Sequence, residues 1–329
     1  MRWGDEGERE AKGRNLVMSI TYPIGGGKGG SGKSFITASL GVSFARQGKR
    51  VLLIDLDLGG SNLHSFLGLK NTEIGLNEFL NKRFDDLEHA IISTSIPNLF
   101  MISSANCSME SANLFYLQKL KIIRGIQSLA YDYVLLDLGA GTSFNTLDFF
   151  LTSNEGIFVI TPEPTSVENA FRFIKSVYFR RIKQLLKQNE FHKIVKGVQE
   201  DSRIGIVKWP SDIIDILTEQ EPEKAEFLES KLGEYGFNII LNQFRRKSDS
   251  SLGEKIERVC KKHFYSRFQF LGNVSYDERV HDSILSRNIY VNTYPYTVTA
   301  TDLKNVADKI SDNGQRPISS TLQDCYEEV

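Results

Sequence analysis

The sequence predicts an α/β fold: a mostly parallel sheet flanked by helices, with a helical insertion on one edge. Three observations predict it. Short apolar runs recur at Met18–Ile24, Arg50–Ile54, Asn98–Ser103, Tyr133–Leu136, Gly156–Thr161 and Phe237–Leu241, with a weaker one at Phe268–Leu271. Stretches long enough for helices separate them, the βαβ rhythm of a sheet buried on both faces. The first run ends in Gly25-Gly26-Gly27, and Ile36, Leu40 and Phe44 then recur at helical spacing, which reads as strand, turn and helix.

The elements follow in order. Residues 1–16 are charged and glycine-containing and read as a flexible leader; Met1–Gly13 has no apolar stretch and is not a secretory signal. One domain is expected over 17–312. Arg50–Ile54 is an apolar run bounded by charge, hence a buried strand, and Ser111–Leu129 has helical spacing. The rhythm breaks between Glu168 and Gly236. There a long helical pattern, the polar segment Lys187–Ser202 and a second helical segment around Ser211–Leu232 form the insertion, placed at about 180–236. Residues 313–329, rich in Gly, Pro and Ser and ending acidic, read as a disordered tail.

Composition narrows the class. The 329 residues are 40% hydrophobic and 25% charged, ordinary for a globular chain. A net charge of −1 exerts no overall pull toward nucleic acid or anionic lipid, so such contacts need a local patch. Cys107, Cys260 and Cys325 form no CxxC pair, which argues against a thiolate metal site or a disulfide framework and suits a reducing, cytoplasmic setting. No run of about 18 apolar residues appears, so no membrane span is expected.

The segment Gly27-Lys28-Gly29-Gly30-Ser31-Gly32-Lys33-Ser34 fits the phosphate-loop pattern GxxxxGK[ST], with an apolar strand before it and an amphipathic helix after it. Its glycines let successive backbone N–H groups turn toward phosphate oxygens, and the helix beginning at Lys33 points its positive end at the same anion. Lys33 would reach the β/γ-phosphates and the Ser34 hydroxyl would take a place on Mg²⁺. Phe35 closes this candidate cradle.

Carboxylates follow two later strands. Asp55-Leu56-Asp57 ends the run Arg50–Ile54, and Asp137 ends Tyr131–Leu136. Acids at the carboxyl end of parallel strands stand where open α/β sheets bind ligands. Leu138-Gly139-Ala140-Gly141 comes after Asp137, Thr161–Ser166 (TPEPTS) makes a rigid turn with Ser166 as a helix N-cap, and Asn242 ends a later strand.

KGGxGK[ST] is the deviant Walker A signature, and this loop resembles that of the MinD/ParA-type P-loop ATPases. The resemblance covers about 17–310, leaving the insertion unmatched. It implies ATP/ADP and Mg²⁺ as cofactors, slow ATP hydrolysis and an ATP-dependent homodimer. It implies that Lys28 reaches the partner's nucleotide, Asp55 supports the Mg²⁺ shell, Asp57 orients the attacking water, Asp137 holds the metal through water, and Asn242 reads the adenine edge. Ser34, Asp55 and Asp137 are thus the metal set, and Lys28, Lys33 and Asp57 the catalytic set. The TPEPTS turn and the LGAG segment resemble the flagellar-number regulators of this family.

The chain departs from that family in its acidic end, QDCYEEV, where many members carry a basic amphipathic helix. Membrane binding by that route is therefore not expected. The basic runs Arg180–Lys183, Arg245–Lys247 and Lys261–His263 could hold DNA, though solvated helix faces are the favoured reading. The leading expectation is a switch that sets the placement or number of a cellular structure, flagella first, then a division site or cargo, acting with a regulator or cargo protein. The alternatives are a DNA-partitioning ATPase and an iron–sulfur carrier ATPase, the latter disfavoured by the missing CxxC.

Overall fold

The structure, a computed structural model, describes residues 19–70, 73–107, 114–186 and 208–313. The leader, the polar part of the insertion and the acidic tail lie outside the described residues.

In chain order, β1 (Ile20–Gly25), α1 (Lys33–Arg46) and β2 (Val51–Leu56) come first, then the short helices α2 (Leu63–Phe66) and α3 (Leu76–Leu80). Next come β3 (Ile92–Ser93), β4 (Leu99–Ile102), α4 (Tyr116–Gln127), β5 (Tyr133–Leu138), α5 (Phe144–Phe150), β6 (Glu155–Ile160) and α6 (Pro164–Leu185). The second part holds α7 (Pro210–Gln220), α8 (Pro222–Gly233), β7 (Gly236–Phe244), α9 (Leu252–His263), β8 (Arg267–Ser275), α10 (Arg279–Leu285), α11 (Tyr290–Thr293) and α12 (Val298–Asn313).

The strands form one sheet of order β3-β4-β2-β5-β1-β6-β7-β8. All its pairs are parallel except β3 with β4, an antiparallel edge. The expected fold class is met.

Side-chain alternation sorts the strands into two cores. Leu52, Ile54, Val134 and Leu136 face the layer of α4, α5 and α6, whereas Val51, Leu53, Tyr133 and Leu135 face α1 and α12. Every residue of β2 and β5 is buried, as an interior parallel strand requires. The first core centres on aromatic rings: Phe150 stacks on Phe158 at 4.9 Å and meets Phe173 edge-on at 5.3 Å. That cluster underlies Gly25, at the end of β1.

Three expectations are corrected. The helix after the phosphate loop is buried nearly all round rather than amphipathic, because α12 packs over its outer side. The segment expected as one helix around Ser211–Leu232 is two, α7 and α8, because Pro222 has no N–H to continue the first and is preset to begin the second. Ser166 is not the N-cap of α6. Glu163 holds that position, and the buried Ser166 hydroxyl accepts the Thr161 N–H at 3.1 Å, closing the turn back on its strand.

Candidate phosphate and metal site

At the carboxyl end of the sheet a cleft of about 500 Å³ opens over the β1–α1 loop. Gly30, Gly32, Lys33, Ser34 and Phe35 line one wall, Asp57 and Ala140 the floor, and Asn242, Tyr276 and Asp277 the far side. Parallel register brings the acids together: β2 pairs Asp55 with Asp137 of β5, and β1 pairs Ile24 with the same Asp137. The loop that leaves β1 therefore turns directly above both carboxylates.

The loop is held by close approach. A Cβ on Gly27 would stand 1.9 Å from the Asn169 carbonyl oxygen, so the loop backbone packs on the first turns of α6. Gly32 caps α1 with φ 87°, a left-handed conformation that glycine adopts without strain. No side chain caps α1 and no acid occupies its first turn, so its leading N–H groups face the cleft with positive polarity.

Lys33 is buried, and among the described residues no carboxylate lies within ion-pair distance of it. Burial lowers its pKa, against the pull of the Asp137 and Asp57 charges. Asp55 is fully buried with both oxygens engaged by its own loop. Its Oδ1 accepts the Asp57 N–H at 3.0 Å, and its Oδ2 accepts from the Ser61 hydroxyl at 2.6 Å and the Leu63 N–H at 3.2 Å. Burial raises its pKa, and these hydrogen bonds oppose the rise.

Asp137 is also buried. Its Oδ1 accepts from Thr37 at 3.4 Å, while its Oδ2 has no hydrogen-bond partner, and neither has the Ser31 hydroxyl. Burial, reinforced by the Asp55 charge, raises the Asp137 pKa; the Ser34 hydroxyl and Lys33 act the other way. An unpartnered buried carboxylate oxygen beside the Ser34 hydroxyl is a donor that fits a divalent cation. Asp57 reaches the second loop: a Cβ on Gly139 would stand 3.0 Å from its Oδ1. The expected residues Lys33, Ser34, Asp55, Asp57 and Asp137 thus converge.

Two expected residues take positions that the sequence did not foretell. Lys28 pairs with Glu163 of its own chain at 2.7 Å, both side chains being well exposed. Asn242 is buried, and its Nδ2 donates to the Ser31 carbonyl at 2.8 Å. Its neighbour Gln243, at φ 57°, donates to the Gly30 carbonyl at 2.8 Å. Both amides brace the phosphate loop. Gln243 was missed because only Asn242 had a motif to mark it.

The first basic run is not a solvated face. Arg180 forks onto Asp148 at 2.8 and 3.0 Å, and Arg181 is buried beside the Tyr235 ring. Among the described residues no helix is long and apolar enough to cross a membrane.

Residues 23–289 match the family of CobQ/CobB/MinD/ParA nucleotide binding domains. The chain is 30% identical over 191 residues to a putative septum site-determining protein MinD of Oltmannsiellopsis viridis, covering 55% of this chain and 60% of that protein. It is 28% identical over 177 residues to the septum site-determining protein MinD of Helicobacter pylori, covering 54% and 65%. It spans about 60% of the length of the curated relatives it matches. Among solved structures, MinD of Pyrococcus horikoshii complexed with Mg-ADP superposes with a TM-score of 0.60 at 20% identity, over 91% of this chain and 98% of that one. A putative plasmid partition protein of Borrelia burgdorferi bound to AMPPNP gives 0.56 at 18% identity, over 90% and 99%. These structures establish a shared fold.

Proposed function

The chain belongs to the family of CobQ/CobB/MinD/ParA nucleotide-binding domains, and from that premise we propose that it is a cytoplasmic ATP-driven switch of the MinD/ParA type. It binds ATP with Mg²⁺, dimerises in that state, hydrolyses ATP slowly and so times the placement or number of a cellular structure. The observation that carries this reading is the convergence of Lys33, Ser34, Asp57 and the unpartnered Asp137 Oδ2 beneath an uncapped helix N-terminus.

Each residue has a task. Lys33 and the leading N–H groups of α1 hold the β/γ-phosphates. The Ser34 hydroxyl and Asp137 fit a Mg²⁺, which when bound neutralises phosphate charge. Asp55 keeps the first switch loop folded through its three hydrogen bonds. Asp57 stands between the two loops that flank the γ-phosphate position, where it can orient water. Lys28, at the exposed rim, crosses to a second copy once it leaves Glu163.

Flagellar-number control is the first role to test, on the Thr161–Ser166 turn and the Leu138–Gly141 loop. A DNA surface is less supported, because Arg180 and Lys261 are paired with Asp148 and Glu257 and Arg181 is buried. A thiolate iron site is disfavoured by Cys260, which is buried with its thiol pushed up to about 12.

The test uses three variants read by calorimetry, phosphate release and light scattering. Lys33→Ala loses ATP binding. Lys28→Ala binds ATP and stays monomeric. Asp57→Ala binds, dimerises and does not turn over. Unchanged ATP affinity in Lys33→Ala would overturn the reading.

A further inference from the structure

Asn242 and Gln243 are adjacent in β7, yet both side-chain amides donate to neighbouring carbonyls of the phosphate loop, those of Ser31 and Gly30, each at 2.8 Å. A regular strand does not allow this, because its successive side chains point to opposite faces. The backbone of Gln243 removes the conflict. Its φ is 57°, in the left-handed region that a glutamine rarely adopts. The sheet register slips at the same point. Leu241 pairs with Asn273 and Phe244 with Ser275, so Asn242 and Gln243 together stand opposite the single Val274. This is a β-bulge, which re-aims side chains beside a site.

The re-aimed amide meets the part of the loop with the least support. Gly29 and Gly30 are exposed, and a Cβ on either would meet nothing within 4 Å. Among the described residues, no hydrogen bond except that from Gln243 reaches either glycine. The flanks of the loop are fixed by packing instead. Gly27 lies against α6, and Gly32 is so close to Asn242 that a Cβ would stand 2.1 Å from its Nδ2. The tip between them is held from outside the loop by one amide.

We propose, resting on the nucleotide-binding reading of the cleft, that Gln243 is a positioning residue: its bulge holds the tip of the phosphate loop in the shape that receives phosphate, at a cost in folding stability. A left-handed glutamine is less stable than a glycine at the same place. A loop already in its bound shape loses less conformational freedom when phosphate arrives. The backbone of Gln243 therefore lowers stability while its amide raises affinity.

Two substitutions separate these effects. Gln243→Gly removes the strain and the donor together. Gln243→Met keeps the strained backbone and a side chain of similar length, and removes the donor alone. The full chain is studied by scanning fluorimetry without nucleotide and by titration calorimetry with Mg·ADP. Trypsin cleavage between Lys28 and Gly29, followed by mass spectrometry without nucleotide, reads the loop tip directly. Gln243→Gly is expected to melt above Gln243→Met, because only glycine relieves the strain. Both variants are expected to bind Mg·ADP about tenfold more weakly than the parent, so the more stable variant gains nothing in affinity. Both are expected to be cut after Lys28 about tenfold faster, because cleavage requires the tip to leave its seat. Parent-like affinity or parent-like cleavage in either variant would overturn the proposal, as would a Gln243→Gly protein that melts no higher than Gln243→Met. A parent that binds no Mg·ADP would overturn the nucleotide reading and the proposal together, whereas a binding parent matched by both variants would overturn the proposal alone.

Discussion

Gly27→Ala tests the seating of the phosphate loop more sharply than removing a charge. The added methyl would lie 1.9 Å from the Asn169 carbonyl oxygen, 2.3 Å from its carbon and 2.9 Å from the Ala170 nitrogen. All three are backbone atoms of α6 and cannot rotate aside. Ordinary contact begins at 3.4 Å, so the loop or the helix must yield by about 1.5 Å. Overpacking of this kind costs about 1–3 kcal/mol, which lowers the melting temperature by several degrees in a chain of this size. A displacement of ~1 Å among positioning groups costs about a hundredfold in function, so affinity for Mg·ADP should fall by at least tenfold. Gly29→Ala is the control: its Cβ meets nothing within 4 Å, and its melting temperature should equal that of the parent. Scanning fluorimetry and titration calorimetry read both variants. A Gly27→Ala protein that melts and binds like the parent would refute the packing argument.

Further outcomes follow from the same structure. Phe150→Ala removes a fully buried ring touching Phe158, Phe173 and Phe237, and should lower urea stability by ~3–5 kcal/mol without altering the slope of the transition. Glu163→Ala breaks an exposed pair, so stability should change by less than about 1 kcal/mol. ATP-dependent self-association should strengthen as Lys28 is released, and weaker association would place Glu163 itself in the interface. Affinity for Mg·nucleotide should rise as pH passes through about 8, because burial pushes Asp137 up to that value and its carboxyl must lose its proton to serve a cation. Proton release, measured by calorimetry in buffers of different ionisation enthalpy, checks this. Glu155 is pushed up to about 7, chiefly by burial, with Arg267 opposing. Its folded form keeps the proton, so its contribution to stability is present below the ordinary carboxylate value of 4.5 and is lost as pH rises through 7. Relative to Glu155→Gln, the parent should therefore lose on the order of 1–3 kcal/mol between pH 5 and pH 8 in denaturant titrations.

What the sequence revealed was what is local in it. The phosphate loop lies within eight consecutive residues, and its glycines and lysines are read directly. Asp55 and Asp137 were legible because each ends an apolar strand, and parallel register then sets them side by side. The braces were not legible. Gln243 and Gly30 are far apart in sequence, and an amide's partner leaves no periodic trace. Arg180 and Arg181 read as solvent-facing because a helical run of cations usually is; burial against Asp148 and Tyr235 depends on neighbours brought by other elements. The break at Pro222 was visible in principle, and the apolar periodicity of α7 and α8 masked it.

The two amide braces also set a timetable for synthesis. The phosphate loop leaves the ribosome before most of the sheet, yet β1 has no hydrogen-bonded neighbours until β5 and β6 arrive. The Gly30 and Ser31 carbonyls have no amide donors until Asn242 and Gln243 emerge. A nascent chain that stops short of β7 carries every residue of the loop without the bracing that fixes its shape. The bracing of the loop is therefore complete only once β7 has been made.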